Sequence, residues 1–264
     1  MPDPGAAGGA GEDRVWRLRA LPVGVLPTPR WATTFGAHDT SLQDLGFYVW
    51  IVTDGATVGL IDLGLPLDAA DAQAISDSNR VFGDGFRDVV LLPELLRSAG
   101  LDGADVDFAL VTQTVTYHSG GLDAELLPNA TFYLARGGVD ELLGGPPGHP
   151  APEFYFTERS WRSLRTLAIQ GRLRLVDEPV VVVPGVTFEA TGGHHPGSAG
   201  VRVRTAEGVV GLLETAFLQA DLDNGVPIGI AEDVAGCRRA IQRYRAECDH
   251  AVALHDLANA TRFG

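Results

Sequence analysis

Cysteine is scarce in this chain. Only Cys237 and Cys248 occur in 264 residues. They lie on one predicted helix, too far apart along it to pair with each other. No disulfide framework follows, and a reducing cytoplasm is the expected compartment. Long apolar runs are absent as well, since no segment approaches the ~18 residues of a membrane-spanning helix. Met1 to Asp13 is rich in Gly, Ala and Pro, but it has neither the basic start nor the apolar centre of a secretion signal. Residues 1–14 are therefore expected to form a flexible tail ahead of a single domain over 15–264. Basic charge is also in short supply: 20 Lys and Arg stand against 34 Asp and Glu, a formal net charge of −14. Phosphate backbones and anionic membranes require clustered cations, so neither nucleic acid nor membrane is expected as a partner. The acidic surplus by itself suits solubility.

What remains is ordinary for a folded protein, with 45% hydrophobic and 20% charged residues. The length is enough to bury a large core. Phe47 to Thr53 is β-branched and aromatic, and Asp54-Gly55 follows as a hairpin signal into a returning strand, Thr57 to Asp62. Asp68 to Ile75 reads as a short helix and Ser76 to Asp88 as a loop. Pro93 opens a helix that Gly100 closes. Asp107–Val111 and Asn129–Ala135 are strands. Gly144 to Pro152, with four Pro and three Gly, reads as a loop and a plausible lid. Glu158 to Ile169 is a helix with Trp161, Leu164 and Leu167 on one face. Five short strands follow, at Leu173–Val176, Val180–Val183, Val186–Ala190, Gly200–Arg204 and Val209–Leu213. Asp233 is placed to cap a helix whose stripe is Val234, Cys237, Ile241, Tyr244 and Cys248. Ala251–Leu254 is the last strand. Two mixed sheets packed face to face with helices outside satisfy this order.

The polar residues of interest follow predicted strands. His118 ends the turn Gln113-Thr114-Val115-Thr116-Tyr117-His118 and precedes Ser119-Gly120-Gly121. His194 lies in Thr191-Gly192-Gly193-His194-His195-Pro196-Gly197-Ser198, where glycines allow close backbone approach. Glu214 directly follows a buried strand, and a carboxylate there needs a partner. His255 follows Ala251–Leu254. One such histidine alone is more often a hydrogen-bonded structural residue. Four polar groups after four strands converge on one sheet edge, where ligands and catalytic groups gather.

These segments resemble the metallo-β-lactamase superfamily, especially its branch similar to N-acyl-homoserine lactonases, over about Leu45 to Gly264. In that family the first loop reads Thr-His-x-His-x-Asp-His-x-Gly-Gly. Asp62-Leu63-Gly64 resembles its Asp-Thr-Gly turn, and the His194 segment resembles its Thr-Gly-Gly-His-Thr-Pro-Gly-Ser. Glu214 stands for its bridging aspartate, and His255 for the last histidine ligand. The resemblance implies an α/β fold, a four-layer αββα sandwich, and substrates that are lactones, esters or thioesters.

The departures bear on the chemistry. Gln113, Val115 and Tyr117 stand where two histidines and an aspartate would be. One metal position of the family thereby loses two of its three own ligands, since valine offers no lone pair and a Gln amide oxygen is a poor zinc ligand. The other keeps His118, Glu214 and His255. Three readings stay open. In the first, no cofactor binds, and Tyr117, His118, His194, Glu214 and His255 form an acid–base pocket for cyclisation, isomerisation or elimination on a carbonyl compound. In the second, one zinc or iron ion is held by His118, Glu214 and His255, with or without His194, in a hydrolase. The third is a non-catalytic binding pocket. The expected partner is a small molecule, natural-product biosynthesis is one context for it, and a homodimer stays open. Trp31, Phe35, Phe154, Tyr155, Phe156 and Phe217 are candidate wall residues, and Arg136 and Arg159 candidate acid anchors. His149 is expected in solvent, and His195 has no preferred direction.

Overall fold

The computed structural model describes residues 14–79, 85–144 and 155–264. The first sheet has six strands in sequence order. These are β1 (Arg17–Pro29), β2 (Leu42–Thr53), β3 (Val58–Ile61), β4 (Phe108–Val111), β5 (Thr131–Ala135) and β6 (Leu173–Val176). β1, β2 and β3 pair antiparallel; β3 to β6 pair parallel. The second sheet runs in the order β11 (His250–Ala253), β10 (Gly208–Leu213), β9 (Ala199–Thr205), β8 (Val186–Ala190) and β7 (Val180–Val183). Only its β10–β11 pair is parallel.

The expected strands are present with small shifts at their ends. β6 joins the first sheet beside β5, away from the five strands that follow it. β1 was not foreseen. Pro22, Pro27 and Pro29 interrupt its pattern, and an edge strand tolerates proline because one row of its backbone groups needs no ladder partner.

Nine helices are described: α1 (Arg30–Thr33), α2 (Ala69–Asn79), α3 (Leu92–Ser98), α4 (Thr116–Ser119), α5 (Arg136–Gly144), α6 (Glu158–Ile169), α7 (Gln219–Asn224), α8 (Val234–Glu247) and α9 (Asn259–Arg262). Among the described residues none is long and apolar enough to cross a membrane. Of the loop expected over Ser76 to Asp88, Ser76–Asn79 instead end α2, supported by a Gln73–Asp77 side-chain hydrogen bond of 2.9 Å; residues 80–84 lie outside the described residues, and 85–88 are irregular. The expected lid falls on residues 145–152, outside the described residues; Gly144 closes α5. Thr157 caps α6 by accepting from Ser160 N at 3.2 Å. Asp233 takes the N-cap position of α8 but makes no side-chain cap bond, because its carboxylate accepts from Arg239 at 3.2 Å.

Three apolar clusters identify the layers. Trp50, Phe108, Phe188, Val201 and Leu212 fill the space between the two sheets. Leu95, Leu96, Leu164 and Leu167, from α3 and α6, pack on the outer face of the first sheet with Leu60, Ala109 and Leu134. Ala240, Ile241 and Tyr244 of α8 cover the second sheet at Leu213 and Ala253. The order is helices, sheet, sheet, helix, the αββα sandwich that the resemblance implies. Cys237 and Cys248 are separate buried thiols of α8 and its end.

Candidate functional site

The strand ends of both sheets meet at a cavity of about 440 Å³. Asp62 follows β3 and adopts φ 60°, unusual for a residue other than glycine. Its buried carboxylate accepts from Thr112 N at 2.8 Å and from Thr112 Oγ1, and so ties β3 to the loop after β4. The same carboxylate is 2.8 Å from His118 Nδ1. His118 stands on α4, a single turn held by the glycines that follow it. A Cβ on Gly120 would lie 2.3 Å from Pro66 N, and one on Gly121 would lie 2.2 Å from Leu63 O. The paired glycines let the His118 turn press against the Leu63–Pro66 backbone.

Glu214 leaves β10 with 1% exposure, and His255 leaves β11 with 3%. His255 Nδ1 donates to Gly46 O at 3.0 Å. With both Nδ1 atoms turned outward, the Nε2 atoms of His118 and His255 each lie 3.8 Å from a carboxylate oxygen of Glu214. Glu214 Oε2 is buried and has no hydrogen-bond partner among the described residues. His194 Nδ1 lies 3.1 Å from Glu214 Oε1. Gly193, at φ 87°, brings the His194 turn against α8, where a Cβ would meet Cys237 N at 2.7 Å. Phe47 lies over His255 with ring centroids 4.4 Å apart, and Phe217 meets His255 at 4.9 Å and His194 at 5.4 Å.

Electrostatics follow from this burial. Burial opposes the charged form of Glu214, but His194 and then His255 outweigh it and hold its carboxyl well below the usual range. Burial likewise opposes protonation of His118; Asp62, with a smaller contribution from Glu214, outweighs it and raises the imidazole. Cys237 is a core thiol, pushed up to about 12 by burial first and Glu214 next.

His118, Glu214 and His255 offer ligand atoms that all lie within 4.8 Å of one another. Two imidazoles anchored through Nδ1, with Nε2 turned toward a buried carboxylate, are a donor set that could hold one transition-metal ion. His118 has the carboxylate partner, Asp62, that commonly orients such a ligand. Gln113 contributes differently: its oxygen accepts from Thr114 N at 2.9 Å, and its amide nitrogen faces Ser198 Oγ at 3.2 Å and His194 Nδ1 at 3.3 Å. With the His194 Nδ1 proton turned to Glu214, the Gln113 amide nitrogen is left to donate to Ser198 Oγ, while its oxygen accepts a backbone N–H.

Of the five residues singled out in the sequence, His118, His194, Glu214 and His255 come together, and all five line the cavity. Tyr117 reaches it as a wall, packed between Phe47 and Phe86 at 5.5 and 5.8 Å. His195 turns away from Glu214, with Nε2 2.6 Å from Glu141. Trp31, Tyr155 and Phe217 also line the cavity, whereas Phe156 is core and Phe35 lies under Arg238. Arg136 and Arg159 pair with Asp177 and Asp123. Phe154 and His149 lie outside the described residues. Sequence reasoning missed the role of Asp62, although its turn carried the resemblance. It also missed Phe47 and the wall Leu26–Pro29, which carries no polar signal.

No protein-family model matches this chain, and no curated protein matches it in sequence. Solved structures do match over nearly its whole length. A quorum-quenching N-acyl homoserine lactone lactonase superposes with a TM-score of 0.75 at 17% identity, covering 95% of this chain and 96% of that one. AidC, a dizinc quorum-quenching lactonase, gives 0.64 at 12% identity and 93% and 92% coverage. The hydrolase AbOPH of the beta lactamase superfamily gives 0.65 at 16% identity and 96% and 90% coverage. The chain thus has the metallo-β-lactamase fold, in the arrangement found in these lactonases and hydrolases.

Proposed function

We propose that the protein is a hydrolase of a small-molecule ester, lactone or thioester that uses one metal ion rather than two. The observation that carries this is the buried donor set of His118, Glu214 and His255, with both imidazoles fixed through Nδ1 and a carboxylate oxygen left without a hydrogen bond. Three protein ligands of this kind suit a catalytic zinc or iron site. Such an ion would polarise the substrate carbonyl and acidify a bound water. A second ion in the family's manner lacks support, since Val115 has no lone pair and both ends of the Gln113 amide are engaged.

The chain's own residues do the rest. Phe47 and Phe217 shield the imidazoles from bulk water, which strengthens every charge interaction among them. Glu214 holds the Nδ1 side of His194, leaving Nε2 to exchange a proton with a substrate or leaving-group oxygen. Tyr117, Val115 and Leu45 form apolar walls against which an acyl chain or ring can lie.

A second reading keeps the same residues and no metal. It is favoured by the 3.1 Å contact of His194 with an ionised Glu214 and by the raised His118, which together form a carboxylate–imidazolium pocket able to carry its own protons. Cyclisation, isomerisation or elimination on a carbonyl compound would suit it, in small-molecule biosynthesis.

Metal analysis of protein purified without chelator separates the two. We expect about one equivalent of zinc, iron or manganese, and loss of that metal in His255→Ala. Less than about a tenth of an equivalent, with melting unchanged by EDTA, rejects the metal reading. Activity that survives chelation but collapses in Glu214→Gln would establish the acid–base reading.

A further inference from the structure

The cavity holds a second polar group that the chemistry above does not use. Glu141, His195 and Glu232 bring one ligand atom each within 4.8 Å of one another. His195 is 3% exposed, and its Nδ1 accepts the Gly197 backbone N–H at 2.9 Å. Its proton therefore sits on Nε2, which lies 2.6 Å from Glu141 Oε2. Tyr155 stacks on that imidazole, with centroids 4.9 Å apart and 28° between the planes. His195, Tyr155 and Glu232 all line the cavity, and Glu141 stands directly behind His195.

The chain contains no lysine, and no arginine lines the cavity among the described residues. Its lining acids are Glu214 and Glu232. The remaining wall is largely apolar or aromatic, with Leu26, Trp31, Phe217 and Ile230 among its members.

We propose that the Glu232–Glu141–His195 wall binds an ammonium group, and that the substrate is a small apolar or aromatic carbonyl compound bearing a basic amine. The carbonyl half rests on the hydrolase reading above; the amine half does not. The Glu232 carboxylate at the exposed end of this wall and the Glu141 carboxylate beside His195 attract an ammonium and repel a substrate carboxylate or phosphate. Tyr155 and Trp31 line the same cavity, and aromatic surroundings favour an alkylammonium over a neutral polar group. A metal ion suits this wall less well, because it would have to displace the proton from His195 Nε2, which the Gly197 N–H bond to Nδ1 places there.

Calorimetric titration with three probes of one shape tests this: 4-phenylbutylammonium, 4-phenylbutanol and 4-phenylbutanoate, at neutral pH. The ammonium probe is expected to bind about tenfold or more tighter than the alcohol, and the carboxylate weakest. Glu232 is exposed, so Glu232→Gln is expected to fold normally, with the preference reduced to within about twofold. Equal or better binding of alcohol or carboxylate, or no measurable ammonium binding, overturns the proposal. So does a preference that persists in Glu232→Gln. A zinc titration showing an equivalent that Glu232→Gln removes and His255→Ala keeps would assign the wall to a metal and overturn it too. An ammonium preference that survives in His255→Ala supports it whatever the metal content, so failure of the hydrolase reading and failure of this one are distinguishable.

Discussion

At φ 60°, Asp62 occupies a backbone region that costs a non-glycine residue of order 1 kcal/mol or more. Its hydrogen bonds to Thr112 and His118 are what hold it there. One carboxylate thus fixes a loop and an imidazole tautomer together. Asp62→Ala is expected to destabilise the fold by about 2–4 kcal/mol, because Thr112 N and His118 Nδ1 lose a buried acceptor. It should also lower metal content, since His118 would no longer be oriented through Nδ1. Urea unfolding and metal analysis read the two effects separately. A loss below about 0.5 kcal/mol with full metal content would falsify the positioning role. The sequence offered part of this. His118, His194, Glu214 and His255 stood out because each follows a β-branched strand. The Asp62–His118 partnership did not, because 56 residues separate the two and no local pattern links them.

Elements show the same division. β2, β4, β5 and the five short strands of the C-terminal half are runs of Val, Ile, Leu and aromatics bounded by turn residues, and their positions were legible. β1 was hidden by its prolines, which only an edge position accommodates. The four-residue helices α1, α4 and α9 were illegible because a single turn has no periodicity and no independent stability; packing alone holds it. α4 matters most, as it carries His118. Gly120→Ala is expected to cost about 2 kcal/mol or more, because the new Cβ would overlap the Leu65–Pro66 backbone rather than a movable side chain. Gly144→Ala, where a Cβ meets nothing within 4 Å, is the control and should change stability by no more than about 0.5 kcal/mol. Thermal melting of the two variants checks this; equal melting temperatures would mean that the turn yields more easily than its packing implies.

For the whole molecule, the inter-sheet layer decides cooperativity. Phe188 of the second sheet is fully buried in the cluster that also contains Trp16, Trp50 and Phe108 of the first-sheet half. Phe188→Ala is expected to destabilise by about 3–5 kcal/mol. If residues 15–264 act as a single domain, tryptophan fluorescence and far-ultraviolet circular dichroism will report one coincident transition in both proteins. Two separated transitions would instead assign the sheets to independent units. The same layer sets the site, because it brings the end of β3 and the turn after β4 opposite the ends of β8, β10 and β11.

The sequence by itself determined the strand positions, the acidic balance, the four polar groups placed after strands and, through their resemblance, the αββα class. These are local properties, carried by periodicity, turn chemistry and composition. Only the tertiary structure decided which nitrogen of each histidine faces inward, that His195 turns to Glu141, that Tyr117 packs between Phe47 and Phe86, and that no arginine lines the cavity among the described residues. Each of those depends on contacts between residues distant in the chain, and a buried polar group takes its direction from the partner that compensates its lost hydration.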